Sequence, residues 1–289
     1  MKMKFKFQKS RLPMFKKKPK RCPITDDLES NLVHTFRNRP LGETHFKFKN
    51  SKNYYRELWQ FFPSRHFISI NKTEIDTNYN NAYVEATYEN LDKLKLTFNK
   101  IINLPREKSD NQGRVKLIQE FSSYWFKTDY LPKLLDIGSG LGIFPYAIKS
   151  LGWDCLAIDP DKKAIKHIKD LGIQALCGDF REIKPNNKFD IITLNKVLEH
   201  LDDPIKFLRE THPWISNKGF LYLELPDGEL AFRDSPNREE FFIEHIHIFS
   251  IPSTIALIRK AGYLVHNISR LKEPSGKYTI RAFIFPDKS

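Results

Sequence analysis

Cysteine is scarce in this sequence, and its positions argue against a disulfide framework. Cys22, Cys155 and Cys177 are the 3 cysteines among 289 residues, and they are too widely spaced for the paired pattern of a disulfide-rich secreted domain. Cys155 and Cys177 fall in short apolar runs that predict buried strands. We therefore expect the protein to work in a reducing compartment.

The sequence also lacks long apolar runs. No stretch reaches the roughly 18 residues needed to span a bilayer, and the N-terminus has no apolar run of the roughly 7 to 15 residues typical of a secretory signal. These absences predict a cytoplasmic protein without a transmembrane segment. The hydrophobic and charged fractions, 40% and 29%, are ordinary for a globular chain, whose 289 residues suffice for an ample core.

Acidic residues are absent from the first 21 positions, which carry ten lysines and arginines. This segment supplies +10 of the net charge of +13 and leaves +3 for the rest of the chain. We interpret residues 1–21 as a disordered, solvated basic tail. A lysine-rich tail with interleaved Phe and Met can also bind nucleic acid or an anionic membrane surface, so both partners stay open.

Glycine is infrequent, yet 3 of the 12 glycines lie within five positions of one another. Residues 134–137 predict a central parallel strand, and Gly138, Gly140 and Gly142 predict a turn that accepts positive φ and close approach of a ligand. A helix is predicted over 143–151. A strand, a glycine turn and a helix N-terminus together form a nucleotide pocket, although a glycine turn without a ligand is the alternative.

The acid beside this turn separates it from the dinucleotide fingerprint. The third glycine comes one residue earlier than in Gly-x-Gly-x-x-Gly, and Asp136 precedes the first glycine by two positions. Asp136 suits a ligand with positive charge and hydroxyl groups better than a diphosphate. Asp159 follows the second predicted strand, 23 residues later, where a carboxylate can accept hydrogen bonds from both ribose hydroxyls of an adenosine ligand. Its alternative is the N-cap of the next helix, at Asp159-Pro160-Asp161.

Strand and helix patterns alternate through the rest of the chain. This alternation predicts an α/β fold, a doubly wound Rossmann-like domain with a seven-stranded, mostly parallel sheet. The later strands are predicted at 153–158, 173–177, 189–194, 219–225, 263–269 and 277–285. Helices are predicted between them at 162–171, 204–214 and 251–261.

Two motifs identify the family that this pattern resembles. The glycine turn looks like motif I of the class I S-adenosylmethionine-dependent methyltransferases, and Asn195-Lys-Val-Leu-Glu-His-Leu-Asp-Asp-Pro204 resembles their Val-Leu-Glu-His-Leu-x-x-Pro signature. The resemblance implies S-adenosyl-L-methionine as cofactor, with Asn195 at a strand end beside the donor methionine. It also implies that Asp179 accepts a hydrogen bond from the adenine amine and that Phe180 packs on the adenine ring. Asp179 as the cap of a helical turn is the alternative.

A second stretch resembles the sugar C-methyltransferases. Glu244-His245-Ile-His-Ile-Phe-Ser250 is similar to their Glu-His-x-x-x-Phe-Ser stretch, which implies that His245 is the general base and that Glu244 orients it. His200 and His247 are the reserve candidates. In such proteins the Glu199-His200 pair often only braces its turn, and this alternative stays open.

The N-terminal region before the predicted domain reads as a small irregular module over residues 22–78. It resembles the zinc ribbon of the sugar C-methyltransferases, but three of the four expected thiolates are missing: Thr25 replaces one, and Phe62 and Arg65 lie where the other pair belongs. We therefore expect no zinc there. A rearranged metal site is the alternative, built from Cys22, His34, His45 and His66.

Two amphipathic helices are predicted between this module and the glycine turn, over 79–102 and 114–126, with a polar linker at 107–113. In the resembled family they cap the cofactor pocket. The chain then divides into four parts. These are a tail (1–21), a degenerate zinc-ribbon-like module (22–78), a helical cap (79–128) and an S-adenosylmethionine-binding domain (129–289).

These patterns predict a methyltransferase that acts at oxygen or carbon of a small polar acceptor, with a sugar or nucleotide sugar favoured. The sequence has neither the Asn-Pro-Pro-Tyr type signature nor a Pro-Cys nucleophile, which argues against nucleobase methylation. Metal ligation is not expected, because the carboxylates follow separate strands. The alternatives are an RNA or protein methyltransferase that uses the basic tail, and a noncatalytic binding module.

Overall fold

The computed structural model describes residues 15–44, 46, 54–72, 91–127, 129–184 and 186–288. The first 14 residues of the predicted tail, residues 79–90 of the first predicted helix, and His45 lie outside these ranges. The strands are β1 (Glu29–Phe36), β2 (Arg56–Phe62), β3 (Phe67–Asn71), β4 (Lys133–Ile137), β5 (Asp154–Asp159), β6 (Gln174–Cys177), β7 (Phe189–Asn195), β8 (Ile215–Pro226), β9 (His247–Ile248), β10 (Tyr263–Lys272) and β11 (Tyr278–Pro286). The helices are α1 (Leu91–Ile102), α2 (Asp110–Phe126), α3 (Ile143–Ser150), α4 (Lys162–Asp170), α5 (Pro204–Arg209), α6 (Gly228–Asp234) and α7 (Ile251–Lys260). None of the helices in these ranges has both the length and the apolar character needed to cross a bilayer.

The larger sheet has seven strands in the order β10-β11-β8-β7-β4-β5-β6. The five strands from β8 to β6 are parallel to their neighbours, whereas β11 runs antiparallel to both β10 and β8. The chain therefore folds as the predicted α/β, Rossmann-like, mostly parallel sheet. Because the order reverses direction beside β4, the carboxyl ends of β4 and β7 border the crevice in which such sheets bind ligands.

Helices cover both faces of this sheet. On the central strand β4, Leu134 packs with Ile118 of α2 and Ile148 of α3, while the next residue, Leu135, belongs to the core that contains Leu208 of α5 and Leu257 of α7. Adjacent residues of a strand point to opposite faces. The adjacent apolar residues Leu134 and Leu135 are thus explained by burial on both sides of β4.

The predicted irregular module is more regular than expected. Residues 29–71 contain β1, β2 and β3, which form an antiparallel sheet in the order β1-β2-β3-β9. The fourth strand, β9, comes from the long connection after β8 and pairs Ile248 with Phe67. The prediction was wrong because β3 is buried at every position and so lacks the alternation that marks a half-exposed strand.

The two sheets share one hydrophobic core. Ile24, Ile68 and Ile70 from the N-terminal part lie in the same buried cluster as Leu198 and Leu257. Burial of apolar surface stabilises this arrangement, at about 1.5–3 kcal/mol for a fully buried large aliphatic side chain. The N-terminal sheet therefore shares its buried core with the larger one.

The residues of the alternative zinc site have other roles. Cys22 is buried, and burial raises the pKa of its thiol, which opposes the thiolate form that a metal needs. His66 lies 3.2 Å from the Ser253 hydroxyl and 3.0 Å from His247. Among the described residues, the group that converges closely enough to hold a metal is a different one.

The two helices before β4 differ from each other in their packing. Leu94 of α1 packs against Leu141 of the glycine turn, so α1 covers that turn, as the resemblance implied for both helices. By contrast, α2 lies on the face of the large sheet. It begins at Asp110, where Ser109 accepts a hydrogen bond from the Gln112 amide. Part of the predicted linker 107–113 is therefore helical.

Candidate active site

The glycine turn leaves open space at one position and is tightly packed at another. Gly138, Gly140 and Gly142 all have positive φ, at 77°, 50° and 74°. A Cβ on Gly138 would lie 2.6 Å from a methyl of Val197, whereas a Cβ on Gly140 would meet no atom within 4 Å. The close contact with Val197 explains why position 138 is a glycine, since a larger residue would clash there. The space beside Gly140 is open, and Gly142 is the N-cap of α3.

Asp159 faces this turn from the end of β5. Its carboxylate accepts hydrogen bonds from the backbone N–H of Gly140 at 2.9 Å and of Asp161 at 2.8 Å. The helix cap is Asp161, whose side chain accepts from the first amides of α4. Burial raises the pKa of Asp159 to about 6. Asp159 is therefore hydrogen-bonded to the glycine turn, and Asp161 is the residue that caps α4.

Asp136 and Asn195 meet at the adjacent ends of β4 and β7. One carboxylate oxygen of Asp136 accepts from the Thr193 hydroxyl at 2.6 Å and from the Asn195 amide nitrogen at 3.0 Å. Burial raises the pKa of Asp136 to about 6. The amide oxygen Oδ1 of Asn195 is buried and has no hydrogen-bond partner within the described residues. A buried acceptor of this kind fits a ligand that brings a donor group, such as an ammonium.

Asp179 and Phe180 follow β6, and Asp179 is the more exposed of the two. Asp179 caps a 3-10 turn at Phe180–Glu182 and pairs with the Arg181 guanidinium, which lowers its pKa against the raising effect of burial. The alternative prediction, that Asp179 caps a helical turn, is thus confirmed. Phe180 is 2% exposed and packs on Phe207 and Trp214, so its ring lies in the core and the predicted packing on adenine was wrong.

A second cluster of polar side chains lies just beyond the end of β7. Glu199 and His200 belong to the 3-10 turn Leu198–His200, and His245 approaches them from the long connection after β8. One ligating atom from each of the three lies within 4.8 Å of the other two. A backbone bond of 2.9 Å from Ile246 N to the Glu199 carbonyl joins the two segments.

Backbone carbonyls orient both histidines of this cluster. Nδ1 of His200 lies 3.1 Å from the carbonyl oxygen of Glu244, and Nδ1 of His245 lies 2.9 Å from that of Glu240. A carbonyl can only accept, so each Nδ1 carries the proton. In the neutral rings Nε2 is then the nitrogen with the lone pair.

Burial controls the protonation of the cluster. It lowers the pKa of His200 and of His245 to about 4, and it raises the pKa of Glu199 to about 8. Both carboxyl oxygens of Glu199 are buried without a hydrogen-bond partner in the described ranges. The two imidazoles are therefore neutral at neutral pH, and a fully buried carboxyl group lies beside them.

An ion-pair network that sequence reasoning missed lies beside β7. Glu224 of β8 pairs with Asn195 in the sheet register and forms ion pairs with Arg114 of α2 and Arg281 of β11. Tyr222 donates a further hydrogen bond to it at 2.7 Å. Although burial opposes it, Arg114 and then Arg281 lower the pKa of Glu224 to about 2. No local pattern reveals this network, because Arg114 and Arg281 lie 110 and 57 positions from Glu224 in the sequence.

A family model described as a methyltransferase domain matches residues 107–268. The match covers more than half of the 289 residues. This chain belongs to the methyltransferase domain family. The glycine turn, the strand-end acids and the histidine cluster of this methyltransferase domain all lie inside the matched range, whereas β1, β2, β3 and β11 lie outside it.

Individual relatives are more distant. A ubiquinone biosynthesis O-methyltransferase of Bradyrhizobium diazoefficiens is 30% identical over 95 residues, which are 31% of this chain and 38% of that protein. The chain thus spans less than half the length of this curated relative. The magnesium protoporphyrin IX methyltransferase of Synechocystis PCC 6803, solved with bound SAH, has a TM-score of 0.52 at 12% identity over 72% of this chain and 99% of its own. The plantazolicin methyltransferase BpumL, also in complex with SAH, has a TM-score of 0.52 at 16% identity over 71% and 94%. At these identities both structures show a shared fold.

In this methyltransferase domain, two of the predicted catalytic side chains have other partners. The Glu244 carboxylate accepts a hydrogen bond from the Thr44 hydroxyl at 3.1 Å, and it is the Glu240 carbonyl that orients His245. His247 is fully buried in β9 against His66, outside the cluster. The path of the backbone in this loop therefore decides which neighbouring groups reach the imidazole of His245.

Proposed function

We propose that this chain is an S-adenosylmethionine-dependent methyltransferase that methylates a hydroxyl oxygen of a small polar acceptor. S-adenosylmethionine, when bound, supplies a methyl group activated by a sulfonium. The family match supports the reaction class. The open space at Gly140 and the unpartnered oxygen of Asn195 support binding of this donor.

The proposed donor site uses the strand ends around the glycine turn. Gly138, Gly140 and Gly142 shape the cradle, and Asp159 accepts hydrogen bonds from the ribose hydroxyls. Asn195, held by Asp136, accepts from the methionine ammonium. We propose that Asp179 accepts from the adenine amine, which requires its carboxylate to accept this bond in addition to those from Arg181.

The observation that carries this proposal is the position of the two sites along β7. Asn195 ends the strand, and Glu199 and His200 follow within five residues to meet His245. A donor held by Asn195 and an acceptor held by the cluster would be adjacent. Methyl transfer needs mainly this arrangement, with the acceptor atom about 3 Å from the methyl group and in line with the leaving sulfur.

Oxygen is the favoured acceptor atom because a similar curated protein is an O-methyltransferase of ubiquinone biosynthesis. A sugar or nucleotide sugar is our proposed acceptor class, from the stretch around His245 that resembles sugar methyltransferases. A hydroxyl must lose its proton during the reaction. We propose that Nε2 of His245 takes it, with His200 in contact at a ring-centroid distance of 4.8 Å.

The experiment combines donor binding with turnover. Calorimetric titration with S-adenosylmethionine should give a one-to-one complex, and labelled methyl groups should transfer to a member of a panel of sugars and nucleotide sugars. His245→Ala should lower kcat by about 10²–10⁴-fold, the usual contribution of a general base, and leave donor affinity unchanged.

The matched control is His266→Ala, which removes an exposed histidine from β10. It should retain both binding and turnover. Absence of donor binding in the unaltered protein would refute the proposed function. Full turnover in His245→Ala would exclude the proposed base alone.

A further inference from the structure

We propose that Glu199, His200 and His245 bind one divalent transition-metal ion, which holds the oxygen of the acceptor. The role in methyl transfer rests on the proposed function, but the metal site itself does not. We did not expect metal ligands from the sequence, since the acids follow separate strands. The fold brings this one carboxyl group and two imidazoles together from segments 45 positions apart.

The first argument is the orientation of the imidazoles. In each ring Nδ1 donates to a backbone carbonyl, of Glu244 for His200 and of Glu240 for His245. Metal-binding histidines characteristically donate their second N–H to a carbonyl or carboxylate, which fixes the tautomer and aims the other nitrogen at the ion. Both Nε2 atoms are thus set up as ligands.

The second argument is the state of Glu199. Its side chain is completely buried, and neither carboxyl oxygen has a hydrogen-bond partner among the described residues. Buried carboxyl groups are normally paired, hydrogen-bonded or bound to a metal. An ion shared with the two imidazoles would supply the missing partner.

The donor set indicates which ions fit. Two imidazole nitrogens and one carboxylate suit Zn²⁺, Co²⁺ and Fe²⁺ better than Mg²⁺, which prefers oxygen ligands. With metal–ligand bonds of about 2.0–2.2 Å, ligating atoms lie at most about 4.4 Å apart. The ligating atoms lie within 4.8 Å of one another, so small side-chain rotations close the site. Three protein ligands leave a position for an acceptor oxygen.

Nearby cationic side chains repel a divalent ion, but two of them are paired with acids outside the cluster of Glu199, His200 and His245. Arg56 is paired with Glu43, and Lys277 with Glu239. Lys196 is the third cation among the described residues that acts on His245, and its backbone is left-handed at φ 58°. This positive charge selects further against Mg²⁺, which is held mainly by charge, and favours an ion that forms strong bonds to imidazole.

Coordination would change how the acceptor loses its proton. A hydroxyl oxygen bound to the ion has a lowered pKa, and its proton passes to solvent water. The O–C bond then forms as the S–C bond breaks, and S-adenosylhomocysteine leaves. Because a metal ion and a proton compete for Nε2 of His245, coordination replaces proton transfer to this ring in the loaded protein.

The test uses the full chain, stripped of metal with a chelator and titrated with Co²⁺. Visible absorption reports the Co²⁺ ligands, and calorimetry gives the stoichiometry. We expect one tightly bound Co²⁺ per chain, displaced by Zn²⁺. Glu199→Gln and His245→Asn should each weaken binding at least tenfold. The control His266→Asn should bind as the unaltered chain does.

Equal Co²⁺ affinity in Glu199→Gln, His245→Asn and the unaltered chain would overturn the site, as would the absence of stoichiometric binding. Melting temperature and donor binding identify a variant that has failed to fold, in which case His200→Asn replaces it. Co²⁺ binding without donor binding would refute the proposed function and leave the metal site standing. Methyl transfer that is undiminished by the chelator would refute the metal's role in acceptor binding.

Discussion

The side-chain amide of Asn195 is hydrogen-bonded through its nitrogen but not, within the described residues, through its oxygen. This difference indicates how the residue could bind a ligand. Its nitrogen donates to Asp136, while its buried oxygen lacks a donor within the described residues. An unmade buried hydrogen bond costs about 1–3 kcal/mol. The residue is thus oriented at the expense of stability, which is typical of a binding position.

Asn195→Ala should therefore weaken binding of S-adenosylmethionine. We expect a loss of about 1.5–3 kcal/mol, the range for a hydrogen bond to a charged group, measured by calorimetric titration. Asn267→Ala, at an exposed position of β10, is the control and should bind normally. Unchanged affinity in Asn195→Ala would exclude the ammonium contact.

Asp159 should make donor binding pH-dependent. Burial raises its pKa to about 6, and the ribose hydroxyls need the ionised carboxylate as acceptor. Above pH 6 the group is already ionised, whereas below pH 6 binding must first remove a proton. We expect Kd to rise as pH falls below 6, by up to about tenfold per pH unit, in calorimetric titrations between pH 5 and 8.

The same titrations on Asp159→Asn separate this effect from other groups. The variant should bind more weakly at pH 8 and show a flatter profile below pH 6. A profile as steep as that of the unaltered chain would assign the pH dependence to another residue, such as Asp136.

At the scale of elements, β8 is tied to α2 and β11 by the ion pairs of Glu224. Removal of one partner from a buried ion pair leaves an unpaired buried charge, which costs about 3–5 kcal/mol. Glu224→Gln should lower the free energy of unfolding by about this amount in urea titrations. The control is Glu120→Gln, which removes the exposed pair with Lys116 and should change it by at most about 1 kcal/mol. Equal effects would show that the Glu224 network contributes little.

The elements that the sequence predicted are those with local signals. For β7 a mainly apolar stretch from Phe189 ends at the polar Asn195, and for α4 Asp161 caps the first turn. Both act within a few residues, so pattern and capping suffice to predict them. The start of α2 was missed because Asp110 to Gly113 are polar, and a cap at Ser109 outweighs that polarity.

The grouping of polar residues at the strand ends was largely predictable, whereas the cluster of Glu199, His200 and His245 was not. Acids and glycines that directly follow predicted parallel strands can be placed at one edge of the sheet, because the carboxyl ends of such strands meet there. The contact of Glu199 with His245 depends on a long-range backbone bond from Ile246, and the orientation of His245 depends on the carbonyl of Glu240. Every residue has a backbone carbonyl, so the sequence does not indicate which one will orient a given imidazole.

At the scale of the molecule, the two sheets share one core and should unfold together. Ile70→Ala, in β3, removes a fully buried side chain from the cluster that contains Leu257 of α7. We expect a loss of about 2–5 kcal/mol and a single transition in which far-ultraviolet and near-ultraviolet circular dichroism coincide. Leu28→Ala, at an exposed position, is the control. Two separate transitions would show that the N-terminal sheet unfolds independently.

The two residues of β9 have a consequence for how such a protein can diversify. They join the N-terminal sheet, and His245 lies just two positions before them. The Thr44 hydroxyl contacts the same loop through Glu244. The residues of the proposed donor site belong to the large sheet or to its connections. With the acceptor at the histidine cluster, as proposed, we expect changes in β1, β2 and β3 to alter which acceptor is methylated while the methyl donor stays the same. Exchange of the N-terminal sheet between relatives would then transfer acceptor specificity from one protein to another.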